Sequence, residues 1–363
     1  MTGTVQFKEA IMAKDIYGNF YNPTKILSYN RPYCISLGVR SIGKSTGFAI
    51  HVLQDFIKNK HQFVYMRRTL DELKSTAPSA LNNAIRIINN YYGKTVIESC
   101  VFEKNTYLVN GEIAGYAVPL SLEQKYKSID YSNVYWIIYD EFLPRNGKYL
   151  GGKENPFFEV ECLESFFQTC DRKVDEAYSN RVRLICIGNN MTYYNPLILS
   201  LGADKFLTTD TKYLAPKGEM YVIEQTLSVE ATKDMKNSNV YKLATDKTRR
   251  YAFEGGIDNN AFIGKPGGKL ESICNLVYKG ETFGVFYSQE GIVWVSKNKC
   301  PGNVKTIAIT ASDHSVNYML IKNWHDSYET SILRQAYNSG CILFENGKCR
   351  FMINQYFMYD ITI

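Results

Sequence analysis

Several features are missing from this 363-residue sequence, and each absence narrows what the chain does. No apolar run approaches the ~20 residues that a membrane-spanning helix needs, so no membrane partner is expected. The nine cysteines form no CxxC pair and no cluster with the four histidines (His51, His61, His314 and His325). That argues against a zinc site, and each cysteine reads as a small buried hydrophobe rather than a ligand. With no secretory leader to be read, the expectation is a reducing, cytosolic setting with free thiols. There is no internal repeat, no low-complexity tract and no strong excess of one charge. The 42 basic against 36 acidic residues leave a net charge of +6, which permits a polyanionic partner without requiring one.

Against those absences stand 45% hydrophobic and 14% aromatic residues, a composition that folds. The length suits two or three domains, each able to bury a core. The most informative stretch runs from Tyr33 to Phe56. A short apolar strand, Tyr33 to Leu37, leads into Gly38-Val39-Arg40-Ser41-Ile42-Gly43-Lys44-Ser45-Thr46. This fits GxxxxGK[ST], the P-loop or Walker A pattern. Phe48, Ala49, Val52, Leu53, Phe56 and Ile57 then recur at helical spacing, giving the strand–loop–helix context that the motif requires. Backbone N–H groups of such a loop and the positive end of the helix surround phosphate oxygens. Residues 38–46 are therefore the expected nucleotide cradle, with Lys44 reaching the β- and γ-phosphates of ATP and Ser45 ligating Mg²⁺.

A second candidate follows the apolar run Val134 to Tyr139, a buried strand that ends in Asp140-Glu141. Asp140 suits a Mg²⁺ partner, and Glu141 is placed to orient or deprotonate an attacking water. An acidic pair at a strand end separates the additional-strand, catalytic-glutamate NTPases from nucleotide kinases. The next apolar strand, Arg181 to Gly188, ends in Asn189, a candidate γ-phosphate sensor. Arg40 inside the loop and Arg172 beyond the following helix are candidate cations for the transferred charge.

The cadence of strand and helix predicts an α/β domain with a mostly parallel sheet over 21–205, after an unpatterned arm at 1–20. Gln62 to Arg67 reads as the second strand, with Arg67 and Arg68 at its end, and Ser79 as the cap of a helix over 80–92. Strand-like runs follow near 96–102, 106–109 and 112–118, with Asn110-Gly111 as a two-residue hairpin turn. A polar loop spans 121–133 and carries Lys125 and Lys127. Asn155-Pro156 reads as the start of a helix reaching Cys170. Residues 206–258 read as a linker with a basic stretch over 233–250. A smaller α+β domain is expected over 259–363: strands near 272–278, 282–287, 292–295 and 306–310, a helix near 328–337, and a hairpin at 341–354.

These motifs, taken in order, resemble the genome-packaging ATPases of phi29-like phages, within the terminase-like group. The resemblance rests on Phe20-Tyr-Asn-Pro23, Leu27-Ser-Tyr29, Gly38-x-Arg40-x-Ile-Gly-Lys-Ser45 and Gln62-Phe-Val-Tyr-x-Arg-Arg68. It continues with Ala117-Val-Pro-Leu-Ser121, Lys127-Ser128, Asp140-Glu-Phe142 and Arg181-Val-Arg183. Beyond about 200 it is thinner: Asn260-Ala-Phe-Ile-Gly264, Val277-Tyr278 and Thr282-Phe-Gly-Val285. Ser41 departs from the glycine of close relatives.

The resemblance implies a homomeric ring of five subunits on the portal vertex of an empty capsid in the host cytoplasm, driving double-stranded DNA inward with ATP. It leaves open whether a structural RNA takes part in docking. It implies Arg172 as an arginine finger given in trans, with Arg181 as fallback. It also implies Lys127 as a DNA-gripping lysine on a pore loop, with Lys125 adding charge. The C-terminal part resembles an RNase H-like domain, here an inactive nuclease, because Asp258, Asp313 and Asp326 make no convincing two-metal trio. A packaging ATPase is thus the leading expectation. Another ring NTPase, a helicase or AAA-type remodeller, and a slow nucleotide-switch scaffold are the alternatives.

Overall fold

The computed structural model describes residues 15–18, 20–40, 42–144, 147–152, 154–172, 181–189, 192–207, 211–226, 239–245 and 262–359. The chain forms two compact units whose segments alternate: Met1–Phe142, Phe167–Gly188 and Ala215–Ala244 in the first, Leu143–Phe166, Asn189–Leu214 and Thr245–Ile363 in the second. Among the described residues no helix is long and apolar enough to cross a membrane. Seven of the nine cysteines are buried, Cys100 is half-buried and Cys341 is exposed.

The first unit is built on β1 (Tyr33–Gly38), β2 (Gln62–Arg67), β3 (Cys100–Glu103), β4 (Thr106–Val109), β5 (Glu112–Pro119), β6 (Val134–Asp140) and β7 (Arg183–Asn189). The two-residue β8 (Tyr213–Leu214) precedes β9 (Tyr221–Thr226) in the chain. Strands lie in the order β3-β4-β5-β2-β6-β7-β1-β9. The pairs β5–β2, β2–β6, β6–β7 and β1–β9 are parallel, whereas β3–β4–β5 is an antiparallel meander. β1, β2, β6 and β7 are near-continuous apolar runs because both faces of a parallel sheet are covered. The Asn110-Gly111 turn has both residues at positive φ, 51° and 81°, the left-handed pair that a two-residue hairpin demands. β7 lies between β1 and β6, so the strand carrying the P-loop and the strand carrying Asp140 are separated by an added strand.

Helices of this unit are α1 (Thr24–Leu27), α2 (Lys44–Asn59), α3 (Leu70–Thr76), α4 (Asn82–Tyr92) and α5 (Glu123–Tyr126). α2 buries Phe48, Ala49, Ile50, Val52, Leu53 and Phe56, the stripe that its spacing predicts. Four local expectations are corrected. α3 precedes the expected helix, capped by Thr69 in a box with Glu72, and Ser79 ends a 3₁₀ turn rather than capping α4. The loop at 121–133 contains α5. α6 (Phe158–Cys170) starts two residues later than Asn155-Pro156 suggested. β9 falls within the stretch read as a linker.

The second unit carries β10 (Leu270–Tyr278), β11 (Glu281–Ser288), β12 (Val293–Ser296), β13 (Thr306–Ala308), β14 (Met319–Leu320) and β15 (Ile342–Phe344), in the order β14-β13-β10-β11-β12-β15. β10–β11–β12 is an antiparallel meander; β13 is parallel to β10 and β14 to β13. That is the arrangement expected of an RNase H-like sheet, with β15 added parallel to β12. Helices Tyr328–Ser339 and Gly347–Tyr359 close a core that includes Leu276, Tyr278, Phe283, Leu333, Ile353 and Tyr356. The expected hairpin at 341–354 is instead one strand followed by a helix. Asp313 accepts from the backbone N–H of Lys279 and Gly280 (2.8 and 2.7 Å), and Asp326 from those of Lys322 and Asn323 (3.0 and 2.8 Å). Both are turn-closing carboxylates, while Asp258 lies outside the described residues.

Candidate functional site

The loop between β1 and α2 is shaped by two glycines. Gly43 stands at φ 78°, where a side chain would also meet the Phe20 ring at 2.5 Å. Gly47 lets the Tyr21 carbonyl approach so closely that a Cβ would sit 2.1 Å from its oxygen. Among the described residues no side chain caps the start of α2, so its first N–H groups are left for an anion. Lys44 is buried and donates to the carbonyls of Gly38 (3.0 Å) and Val39 (2.8 Å). Burial lowers its pKa to about 8, against the upward pull of Asp140 and Glu224.

The carboxylates at the end of β6 meet this loop. Asp140 accepts from Ser45 Oγ (2.9 Å) through one oxygen and from Tyr65 Oη (3.1 Å) and Arg67 Nη1 (3.2 Å) through the other. Arg67 Nη2 donates to Glu141 at 2.7 Å, and Arg40 Nη2 lies 3.9 Å from the other Glu141 oxygen. Arg68 donates to the backbone carbonyls of Glu141 (3.5 Å) and Phe142 (2.6 Å). Glu141 itself is held at φ 56°, in the left-handed region that glutamate seldom adopts. Such a residue costs on the order of 1–3 kcal/mol and persists where its surroundings fix it. A cavity of about 280 Å³ opens beside Ser45, Tyr65, Arg67, Thr76 and Asp140.

The remaining sequence candidates are distributed differently. Asn189 closes β7, two residues past Ile187, which pairs with Asp140. Arg172 is exposed. Arg181 donates to the carbonyls of Arg172 (3.0 Å), Tyr131 (3.0 Å) and Cys170, so its guanidinium binds backbone at the end of α6. Lys127 pairs with the buried Glu123 at 3.1 Å, one helical turn away, while Lys125 is exposed. Ser41 lies outside the described residues, as does most of the basic stretch, including Lys247, Arg249 and Arg250.

Reading the sequence passed over Arg67, Tyr65, Tyr21 and Glu224 as site residues. For Arg67 the sequence shows only a basic residue closing an apolar strand; its partner comes from the register, in which Met66 pairs with Tyr139 and the next residue of β2 stands beside Asp140. Glu224 had no signal, because it is a buried carboxylate that interrupts a short apolar run.

A loop of this shape, an acidic strand end bonded to its serine, and β7 between the two strands define a P-loop fold of the additional-strand class. Comparison with known proteins narrows the class. The chain belongs to the podovirus DNA encapsidation protein (Gp16) family, whose family model matches residues 12–362. It is similar to the DNA packaging proteins of Bacillus phage PZA and Bacillus phage phi29, each 28% identical over 343 residues, covering 91% of this chain and 95% of theirs. Its fold is similar to a chain of the bacteriophage Phi-29 viral genome packaging motor assembly (TM-score 0.68, 27% identity, 93% of this chain and 98% of that one).

Proposed function

We propose that this chain is an ATP-hydrolysing subunit of a motor that moves double-stranded DNA into a preformed capsid. The observation that carries the reading is the joining of P-loop and acidic strand end by Ser45 and Asp140, 2.9 Å apart, in a chain of the encapsidation family. The oxygen-only donor pair suits Mg²⁺, and Ser45 and Asp140 are the residues to hold it. Bound there, the ion would neutralise charge on the β- and γ-phosphates of ATP.

The chain's own residues supply the rest. Residues 38–46 enclose the phosphates, and Lys44 leaves the carbonyls of Gly38 and Val39 for the γ-phosphate. Glu141 orients and deprotonates the attacking water once Arg67 releases it, and Asn189 senses the γ-phosphate. Arg40 lies farther from Glu141 than Arg67 does, which supports a phosphate-facing role for Arg40. Arg172 is the arginine offered to a neighbouring subunit, because the guanidinium of Arg181 is already bound to carbonyls. Lys125, exposed, and Lys127, once freed from Glu123, hold DNA through its phosphates, a contact that carries any sequence. The assembly this requires is a ring, of five subunits by the family resemblance, docked at the portal of a procapsid in the host cytoplasm.

The deciding experiment is DNA uptake into purified empty capsids, with ATP, with and without this protein. Protection of DNA from nuclease only when protein and ATP are both present is the expected result. Uptake that needs no ATP, or ATP turnover indifferent to double-stranded DNA, would refute the motor reading and favour the switch scaffold.

A further inference from the structure

β9 grips the P-loop from beneath at its first residues. Thr226 Oγ1 donates to the Leu37 carbonyl at 2.9 Å, and its hydroxyl lies 2.6 Å from where a Cβ on Gly38 would stand. The N-terminal segment grips the loop's other end. Tyr21 N–H donates to the Ile42 carbonyl (2.9 Å), its own carbonyl presses on Gly47, and its ring packs on Phe48 at 5.4 Å between centroids. One bond ties these two grips together: the Tyr21 hydroxyl donates to the carboxylate of Glu224. Glu224 and Thr226 are two residues apart on β9 and so share a face. Glu224 is 3% exposed, paired in register with Ser36 of β1, two residues before Gly38.

A wholly buried carboxylate is a costly way to hold a strap, since an apolar pair of equal volume often does so more stably. Its presence beneath a phosphate cradle calls for a role that packing alone does not supply. We propose that Tyr21 and Glu224 are positioning residues of the nucleotide site: their bond latches the N-terminal segment to β9 and holds the P-loop, gripped at both ends, in the shape that receives phosphate. The inference rests on the nucleotide reading of the loop. Pre-forming a site lowers the ordering cost at binding and strengthens ground state and transition state alike, so the latch acts on KM more than on kcat.

The test uses the full chain, with ATP turnover and hydrogen exchange of the peptides covering 37–48. Tyr21→Phe removes only the hydroxyl, and should raise KM for ATP roughly fivefold or more while kcat stays within about twofold. Exchange across 37–48 should quicken in the nucleotide-free protein. Tyr21→Phe also leaves Glu224 without this donor, so Tyr21→Phe/Glu224→Gln, which removes the buried charge as well, guards against simple misfolding. Measured beside Glu224→Gln alone, the double variant should shift KM by less than the product of the two single shifts, because both changes cut the same bond while only Glu224→Gln also removes the pull on Lys44. Unchanged KM and exchange in Tyr21→Phe, or strictly additive effects in the double variant, would overturn the latch. ATP turnover that survives Lys44→Ala in the wild-type background would instead overturn the nucleotide reading beneath it.

Discussion

Replacing Arg67 with methionine removes one guanidinium from two carboxylates in very different surroundings, and the two losses should not be equal. Arg67 and Asp140 are both buried, with side chains 8% and 10% exposed; Glu141 is 44% exposed. By distance alone Glu141 is the better partner, at 2.7 Å against 3.2 Å. Burial should reverse that order. Breaking a buried ion pair from one side costs about 3–5 kcal/mol because the surviving charge is stranded, whereas an exposed pair is worth about 0–1 kcal/mol. Asp140 keeps two donors, Ser45 and Tyr65, which places its loss near the lower figure. In double-mutant cycles read by urea unfolding, Arg67→Met with Asp140→Asn should therefore show a coupling of about 2–3 kcal/mol. The cycle with Glu141→Gln should give no more than about 1 kcal/mol. The same hierarchy is visible in Arg67 itself: burial opposes its charge, yet Asp140 foremost, with Tyr65 and Glu141 behind, keeps its pKa above the ordinary value. A Glu141 coupling equal to or larger than the Asp140 coupling would refute the argument, since proximity would then outweigh desolvation.

Glu141→Gln should still bind ATP in a filter or fluorescence assay while turnover falls by orders of magnitude; near-normal turnover would remove Glu141 from the chemistry. Arg172→Ala and Lys44→Ala subunits, each inactive alone, should partly restore ATP turnover when mixed, because one supplies an intact site and the other the arginine. No recovery on mixing counts against donation across subunits. Burial holds the Lys44 pKa at about 8 against an ordinary 10.5, so the unfolded chain keeps the proton more tightly between those values. The nucleotide-free protein should then gain stability through Lys44 as pH rises through that window, about 2 kcal/mol between pH 7 and 9.5. Lys44→Met should lack that gain in urea titrations at the two pH values, and an identical pH response in both proteins would contradict it.

What the sequence made legible was what is local in the chain. The P-loop is one contiguous string between a strand and a helix, and Asp140-Glu141 is marked by the apolar run before it. What stayed hidden depends on neighbours distant in sequence. Arg67 acquires its partners only through the register of β2 against β6, and Tyr21 through a strand two hundred positions away. β9 was obscured because Glu224 and Gln225 interrupt its apolar pattern, although both are buried. Two of the three Asn-Gly pairs show how far a local signal reaches. At Asn110-Gly111 both residues turn left-handed and close a hairpin. At Asn346-Gly347 the asparagine accepts from the Cys349 N–H at 3.0 Å and starts a helix. The difference lies downstream: Phe351, Met352, Ile353, Tyr356 and Phe357 are buried at helical spacing.

The left-handed backbone at Glu141 sets stability and work against each other at one residue. Glycine or asparagine would relax there, so a search for hardier variants of this chain should return Glu141→Gly or Glu141→Asn among its gains. With Glu141 in the catalytic role proposed for it, each such gain would melt later and lose ATP turnover. Variants chosen for thermal endurance alone should therefore be screened at this position before any other.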